Sequence, residues 1–244
     1  MSSSPTPRSI LVTGASRGLG RALAEQAAAS GARVVLVARG APALHSVVEQ
    51  IRARGGEAWA LVADVGDKTA VHRIAHEAAA LAGPIDVLIH CASTLGPTPL
   101  PLLLDTECED LERVLQVNLV GPFRLTKIVA GAMALRGHGT IVSVSSDAAL
   151  HAYETWGSYG LSKAALDHLT RTYAAELAVT GVRLFSVDPG EMDTQMHRDA
   201  IPDADPATLA DPGDVARRIL AMVDDERRAP SGARVIAGEL QVQP

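Results

Sequence analysis

The sequence lacks the residues and runs that mark several classes of protein. Its 244 residues include two cysteines, Cys91 and Cys108, which cannot make a disulfide framework or a metal-ligand cluster. No apolar run approaches the ~20 residues of a membrane-spanning helix. The net charge of −6 gives no general attraction to nucleic acid or to an anionic membrane surface. We therefore expect no disulfide scaffold, membrane span, nucleic-acid partner or metal site.

The composition is that of a globular protein with a large core. Apolar residues make up 47% of the chain, which is too high a fraction for a disordered protein. The first residues, MSSSPTPR, are polar and have no apolar signal core behind them. We expect a cytoplasmic protein with a flexible segment at residues 1–8 and a single domain over residues 1–244.

Short apolar runs alternate with helix-like segments along most of the chain. The runs are continuously apolar, which is typical of strands that are covered on both faces. They lie at residues 9–13, 33–38, 58–63, 86–92, 140–146, 182–187 and 233–237. The predicted helices end near residues 30, 54 and 82 in the first half, and cover 107–135, 157–179 and 212–224 in the second.

This alternation predicts an α/β fold. Repeated strand–helix units with short turns favour a doubly wound (Rossmann) parallel sheet of about seven strands, with helices on both faces and right-handed crossovers. Residues 191–212, rich in Asp, Pro and Ala, are predicted to be a long irregular insertion. Long loops of this kind are often functional.

A glycine-rich turn, TGASRGLG at residues 13–20, follows the first strand and opens the first helix. Gly14 can take a backbone turn that is closed to other residues, Gly18 lets the chain approach a pyrophosphate, and Gly20 permits close packing of helix on strand. The helix N-terminus supplies free N–H groups and the positive end of a dipole for that phosphate. In this strand–turn–helix context the pattern predicts a dinucleotide site.

Two arginines favour NADP(H) over NAD(H) as the cofactor. An NAD site usually carries an acid just after the second strand, where it binds the ribose 2′-hydroxyl. Here that stretch reads VVLVARG, with Arg39 and no carboxylate, and Arg17 lies inside the glycine turn. Each guanidinium offers a planar fork to the oxygens of a 2′-phosphate, although either arginine alone could equally be a surface residue.

A tyrosine and a lysine, Tyr159 and Lys163, stand four residues apart at the start of the helical pattern over 157–179. Positions i and i+4 share a helix face, so the phenol and the ammonium can reach one target. Taken alone, the pair is better explained by a lysine that packs its stem along an amphipathic helix and happens to follow a tyrosine.

Together with the glycine turn, the Tyr–Lys pair resembles the motifs of the short-chain dehydrogenase/reductase family, and the likeness covers nearly the whole chain. Further family motifs follow in order: ADV at 63–65, Asn118 in VNLVG, Ser146 thirteen residues before Tyr159, and DPG at 188–190 followed by Thr194. The resemblance implies that Asp64 accepts from the adenine amine, that Val65 flanks the ring, and that the DPG segment holds the nicotinamide carboxamide. The residues assigned to the cofactor are Gly14, Ser16, Arg17, Gly18, Leu19, Gly20, Arg39, Asp64, Val65, Ala92, Tyr159, Lys163, Pro189, Gly190, Met192 and Thr194.

The resemblance also implies a catalytic set of Asn118, Ser146, Tyr159 and Lys163. Tyr159 would give a proton to the alkoxide that hydride transfer creates, and Ser146 would donate to the substrate oxygen, with Ser145 as the second choice. Lys163 is expected to lower the pKa of Tyr159 by roughly three units and to bind the nicotinamide ribose. Asn118 is expected to bend its helix and hold a water that links Lys163 to solvent.

One motif departs from the family pattern. Where the family usually reads NNAG after the fourth strand, this chain reads His90-Cys91-Ala92-Ser93. The family motif braces the sheet and lines the cofactor cleft, so the change bears on local packing more than on chemistry. We expect Cys91 to be a small buried apolar residue and His90 to be an interior histidine with its hydrogen bonds made.

Three segments are expected to bound the substrate pocket: residues 93–106, 147–157 and 191–212. Their larger side chains are mostly apolar or aromatic and indicate a small or medium hydrophobic ketone or aldehyde, although each could equally be packing within its loop. These side chains belong to Leu95, Leu100, His151, Tyr153, Trp156, Met192, Met196 and His197.

The predicted function is the NADP(H)-dependent interconversion of a carbonyl and an alcohol. Two alternatives stay open: a regulator that senses NADP(H) without turnover, and an isomerase or dehydratase of the same superfamily that acts on a nucleotide sugar. The Ser–Tyr–Lys set disfavours the first, and the short stretch after the last strand disfavours the second. Apolar faces on the helices over 107–135 and 157–179 predict a homodimer or homotetramer.

Overall fold

A computed structural model describes residues 7–238 and the backbone of residues 242–243. Of the segment expected to be flexible, residues 1–6 lie outside this described part, whereas Arg8 forms an exposed ion pair with Asp224. The described chain forms one sheet with helices on both faces, as the sequence predicts. Within residues 7–238 no helix combines the length and the apolar character that a membrane crossing requires.

Seven parallel strands build the sheet, and a two-residue antiparallel strand extends its edge. The bounds are β1 Ser9–Thr13, β2 Arg33–Ala38, β3 Glu57–Val62, β4 Val87–His90, β5 Gly139–Val144, β6 Val182–Asp188, β7 Arg234–Ile236 and β8 Val242–Gln243. The order across the sheet is β3-β2-β1-β4-β5-β6-β7-β8. The seven predicted runs therefore locate the seven parallel strands to within two residues at each end.

The helices of the described chain fill the connections between strands. Their bounds are α1 Gly18–Ala29, α2 Ala41–Ala53, α3 Ala70–Ala82, α4 Cys108–Leu115, α5 Gly121–Arg136, α6 Gly157–Glu176, α7 Gln195–Ala200 and α8 Pro212–Asp224. The single helix predicted over 107–135 is divided into α4 and α5 by a π-helical turn at Gln116–Val120.

Both faces of the sheet are buried, which explains why its strands are apolar at every position. On β1, Ile10 and Val12 face one core with Leu23 of α1. Leu11 points the opposite way, into a second core with Leu125 of α5. Because successive side chains of a strand alternate between faces, a strand covered on both sides must be apolar throughout.

The strand order reverses beside β1, which has β2 on one side and β4 on the other. In doubly wound sheets ligands bind at such a switch point, outside the carboxyl ends of the strands. The segment at 191–212 closes over this end. It is less irregular than predicted, because it contains α7 and a bridge between Met192 and Ala210 that pins its two ends together.

Candidate functional site

The glycine turn leaves no room for a side chain at two of its positions. Gly14 has φ +71°, and a Cβ there would lie 2.7 Å from the backbone nitrogen of Ala92. A Cβ on Gly20 would lie 2.4 Å from the carbonyl oxygen of Gly14. Arg17, the residue before α1, makes no capping hydrogen bond through its side chain, so N–H groups of the first turn are available to a ligand. The turn therefore has the close backbone packing and the available N–H groups that a pyrophosphate would need.

A cavity of about 470 Å³ opens in front of this turn. Of the residues assigned to the cofactor, Gly190 alone is not part of its lining. The others are Gly14, Ser16, Arg17, Gly18, Leu19, Gly20, Arg39, Asp64, Val65, Ala92, Tyr159, Lys163, Pro189, Met192 and Thr194. The size, the glycine cradle and the bare helix N-terminus suit a dinucleotide.

Arg17 and Arg39 both border this cavity and are exposed. Neither forms an ion pair with a carboxylate of the described residues. The neighbouring Arg21, by contrast, is held by Glu25 and Gln50 on the surface of α1 and α2. Two guanidinium groups therefore remain available to an anionic ligand at the end of β2.

Asp64 sits at the end of β3 with both carboxylate oxygens already in use. Its Oδ2 accepts from Arg113, and its Oδ1 accepts from the Gly66 N–H at 2.8 Å. Burial raises the pKa of Asp64, but the bonds from Arg113 and Gly66 outweigh it and lower the pKa overall. An adenine amine would share this carboxylate with Arg113.

Tyr159 and Lys163 lie on the first turns of α6, and both are buried, at 8% and 3% exposure. Lys163 Nζ donates to the Val144 carbonyl, at the end of β5, with a length of 2.7 Å. The same ammonium lies 5.4 Å from the centroid of the Tyr159 ring. The Tyr159 ring also makes a T-shaped contact with Trp156, with the ring centroids 5.7 Å apart. The phenol ring thus contacts both a cation and an aromatic ring.

The pKa of the Tyr159 phenol is raised by burial, and that of Lys163 is lowered to about 8 for the same reason. The groups that pull the phenol pKa down are the hydroxyls of Ser146 and Ser93. The expectation that Lys163 lowers this pKa is not met in the structure. The Val144 carbonyl holds the ammonium over the ring, and no hydrogen bond among the described residues joins it to the phenol.

The two candidate serines have different environments. Ser145 is buried and donates to Asp167 Oδ2 at 2.8 Å, away from the phenol. Ser146 is half-buried, donates to Asp147 at 3.0 Å and lies close enough to Tyr159 to lower the phenol pKa. This placement favours Ser146 for the role of donor to a substrate oxygen.

Asn118 occupies the middle of the π-helical turn between α4 and α5, which is where the expected bend lies. Its Nδ2 donates to the Thr94 carbonyl and to Ser162 Oγ, both at 2.9 Å, and its Oδ1 accepts from the Thr94 N–H at 2.9 Å. The amide thus ties the helix to the loop after β4 and to α6. Its part in a water relay stays a prediction.

The departing motif, residues 90–93, follows directly from the end of β4. His90 Nε2 lies 2.8 Å from Thr126 Oγ1, and burial lowers the His90 pKa to about 3. Burial raises the pKa of the Cys91 thiol to about 11, and Cys91 packs against the core. His90 therefore lies in the interior as the sequence predicts, whereas Cys91 is only partly buried, because it borders the cavity. Ser93 is different: its Oγ is buried and has no hydrogen-bond partner among the described residues.

The segment after β6 turns sharply toward the cavity. Gly190 has φ +71°, and its N–H donates to Asp188 Oδ1 at 3.0 Å. Thr194 caps α7 by accepting from the His197 N–H at 3.2 Å. Met192 and Thr194 reach both the cofactor cavity and its neighbour, so this segment separates the two spaces.

Sequence reasoning missed a buried ionic cluster behind Ser146. Arg234 of β7 donates through Nε to Asp167 Oδ2 at 3.1 Å, and through Nη2 to Asp188 Oδ2 at 2.8 Å and to the Ser146 carbonyl at 2.9 Å. All three charged side chains are less than a tenth exposed. The signal available was an arginine inside an otherwise apolar strand.

A second cavity, of about 520 Å³, adjoins the first on the far side of Tyr159. Six of the eight residues named for the substrate pocket line it: Leu95, Tyr153, Trp156, Met192, Met196 and His197. Leu100 instead packs behind the wall, and His151 is exposed beside Tyr153. Ser146 and Tyr159 form part of the lining.

Comparison with known proteins agrees with this geometry. A family model described as short chain dehydrogenase matches residues 8–205. A short chain dehydrogenase of Pseudocercospora fijiensis is 37% identical over 194 residues, which cover 78% of this chain and 61% of that protein. The chain thus spans less than two thirds of the length of that relative.

Similar solved structures cover nearly all of this chain, and some of them contain a bound coenzyme. A short chain dehydrogenase from Shigella flexneri complexed with NADP has a TM-score of 0.88 and 28% identity, covering 95% of this chain and 97% of its own. A 7α-hydroxysteroid dehydrogenase complexed with NADH and 7-oxo glycochenodeoxycholic acid has a TM-score of 0.85 and 28% identity. The match covers 94% of this chain and 91% of the dehydrogenase. The similar structures carry both nicotinamide coenzymes, so likeness alone does not decide between them.

Proposed function

We propose that this chain, which belongs to the short-chain dehydrogenase/reductase family, interconverts a ketone or aldehyde and its alcohol with NADP(H). The oxidoreductases of this family act on alcohol and carbonyl groups. One observation carries the proposal: Tyr159 lines both the cavity that suits a dinucleotide and the cavity beside it. A group that must pass a proton to a substrate next to a nicotinamide belongs at that junction.

The residues divide the chemistry in a simple way. A bound nicotinamide coenzyme supplies the hydride. The Tyr159 hydroxyl gives its proton to the oxygen of the carbonyl as negative charge develops there, and takes one back in the oxidative direction. The Ser146 hydroxyl donates to the same oxygen. Lys163, whose ammonium lies 5.4 Å from the centroid of the phenol ring, is proposed to bind the nicotinamide ribose.

The preference for NADP(H) over NAD(H) rests on Arg17 and Arg39. Both guanidinium groups stand at the cavity without a carboxylate partner among the described residues, and β2 ends in Ala38 with no acid after it. A 2′-phosphate would accept a charge-assisted fork from each arginine. A 2′-hydroxyl would find no carboxylate to bind it at this position.

Turnover can be tested directly, by following NADPH consumption with a panel of ketones and aldehydes and NADP⁺ reduction with the matching alcohols. We expect Tyr159→Phe to lose about 10²–10⁴-fold in turnover while it still binds NADPH, because it removes one hydroxyl and keeps the ring. Tyr173→Phe is the matched control, since its phenol lies on the same helix and donates to the Phe123 carbonyl instead. Tight NADPH binding with no carbonyl reduced would instead support the sensing role.

The protein is further proposed to form a homodimer or homotetramer through α5 and α6. Phe123 and Leu161 are 43% and 53% exposed on these two helices, and exposed apolar faces favour association. Light scattering at micromolar concentration should show more than one chain per particle, and Leu161→Glu should reduce that number.

A cytoplasmic location remains part of the proposal. Both cysteines are unpaired, which is typical of proteins in reducing compartments.

A further inference from the structure

The cavity beyond Tyr159 has a mostly apolar wall. Leu95 and Tyr159 form a small cluster there, with Trp156, Met196 and Ala200 packed against it. The wall surrounds the phenol and leaves about 520 Å³ for a ligand. A substrate that filled this space would therefore have an apolar body next to its carbonyl group.

The charged groups of this cavity are nearly all acidic. Its described lining contains no lysine and no arginine. Both ring nitrogens of His197, the basic residue that the lining does contain, are buried and have no hydrogen-bond partner in the described chain. Asp188 is neutralised by Arg234 at 2.8 Å. Apart from His197, the described lining therefore offers an anionic ligand no basic side chain.

Two carboxylates at the cavity have no strong cationic partner. Asp147 accepts from the Tyr153 hydroxyl at 2.8 Å and from the Ser146 hydroxyl at 3.0 Å. Burial raises the Asp147 pKa, but these bonds outweigh it and lower the pKa overall, so the group is ionised at neutral pH. Glu191 is 67% exposed, and its closest basic atom, His197 Nε2, is 3.9 Å away. Both carboxylates repel negative charge on a ligand.

From this lining we infer that the substrate is a carbonyl compound without a carboxylate or phosphate, and that Asp147 and Glu191 select against anionic carbonyl compounds. The inference rests on the proposed carbonyl reduction and adds the class of its substrate. The apolar wall binds the body of the compound, and the two carboxylates tolerate a neutral or a basic substituent at the mouth. Like charges brought together at a binding surface disfavour the wrong partner.

Three aryl ketones of nearly equal shape test the inference: 4-acetylbenzamide, 4-acetylbenzamidine and 4-acetylbenzoate. Their neutral, cationic and anionic substituents are close isosteres, so differences in binding report mainly on charge. The dissociation constant of each would be measured with the wild-type protein in complex with NADP⁺, in which no reduction occurs. Reduction by NADPH would be measured alongside. We expect the benzamide and the benzamidine to bind at least about tenfold more tightly than the benzoate.

Two variants assign the effect to the carboxylates. Glu191→Gln and Asp147→Asn should each narrow the ratio of benzamide to benzoate affinity by about threefold or more. Asp193→Asn is the matched control, since Asp193 lies on the same segment as Glu191 but is paired with Arg198 and does not line the cavity. It should leave the ratio unchanged.

Each possible result of these titrations either supports or overturns the inference that the cavity disfavours anionic carbonyl compounds. Equal affinity for the benzoate and the benzamide overturns the inference, and so does a ratio that neither variant changes. A complex that binds none of the three ketones overturns it as well, because the cavity is then not where such compounds bind. Failure of the proposed function is a separate result: it would appear as ketone binding without any reduction by NADPH.

Discussion

Arg234 Nη2 donates to Asp188 Oδ2 at 2.8 Å, and both side chains are less than a tenth exposed. The same guanidinium reaches Asp167 on α6 and the backbone carbonyl of Ser146. Arg234 on β7 therefore fixes three parts of the site: the end of β6, the helix α6 that carries Tyr159, and the backbone of Ser146. A buried ionic network of this kind stabilises the fold only while all of its charged partners are present, because a buried charge without a partner is costly.

We expect Arg234→Met to destabilise the fold by about 3–5 kcal/mol, because it leaves two buried carboxylates without a cation. Arg234→Lys keeps the charge, but an ammonium lacks the planar fork that spans two carboxylates and a carbonyl. We therefore expect it to lower the free energy of unfolding by less than Arg234→Met does. Urea unfolding measures both. The control is Arg217→Met, which breaks an exposed pair with Asp214 and should cost about 1 kcal/mol or less. A loss for Arg234→Met as small as the control's would contradict the role of the cluster.

The sequence predicts the sheet well because its strands are buried on both faces, and a continuously apolar run between turns is hard to mistake. The bounds of β1 and β2 come out as predicted for this reason. The strand ends near Ser145 and Cys91 are less well placed. There the predicted runs continue two residues beyond β4 and β5, into residues that line the site.

The ionic cluster could not be predicted from the pattern. Arg234 is 67 residues from Asp167 and 46 from Asp188 along the chain, and only the parallel order of β5, β6 and β7 brings them together. In the sequence Arg234 stands out as a charge within an apolar run, but Asp167 and Asp188 look like ordinary surface charges, so the partners of Arg234 cannot be identified from the pattern. The position of Lys163 over the Tyr159 ring was missed for a similar reason, since the Val144 carbonyl that holds it belongs to another element.

Replacing Arg17 or Arg39 with Gln should weaken NADPH binding by about ten- to a hundredfold, the loss expected for one charge-assisted contact to a phosphate. NADH binding should barely change, because NADH has no 2′-phosphate. Arg21→Gln is the control, since Arg21 is held by Glu25 and Gln50. Fluorescence titration with both coenzymes measures the effect. If the wild-type protein binds NADH as tightly as NADPH, that result would contradict the proposed preference for NADP(H) over NAD(H).

Cys91 should resist alkylation at neutral pH although it borders the cofactor cavity. Burial raises its pKa from 9.0 to about 11, so the reactive thiolate is about a hundredfold scarcer than for an unperturbed thiol. Its labelling rate should therefore climb with pH until about pH 11. Peptide mass spectrometry after iodoacetamide treatment can compare it with the exposed Cys108 in the same molecule. Equal rates for the two cysteines in the folded protein at pH 7 would refute this prediction, and equal rates after denaturation serve as the control.

The pH dependence of alcohol oxidation should report the hydroxyls around Tyr159. Oxidation needs the phenolate, so its rate rises as pH passes the pKa of the phenol. The Ser146 hydroxyl lowers that pKa, which means that Ser146→Ala should raise it and move the profile to higher pH, by about one unit for the loss of one bond to a charged group. Ser145→Ala should leave the profile in place, because Ser145 donates to Asp167.

Ser93 gives the sharper form of the same prediction. Its Oγ is buried with no hydrogen-bond partner among the described residues, and after Ser146 it is the hydroxyl that lowers the Tyr159 pKa. A phenolate would give this hydroxyl the acceptor it lacks, so Ser93→Ala should also shift the profile upward, by less than Ser146→Ala. Ser93→Gly restores the residue usual in the family and should shift it equally, because both changes remove the same donor. Profiles of kcat/KM against pH for the three variants measure this, and a profile unmoved in both Ser93 variants would show that this hydroxyl does not act on the phenol.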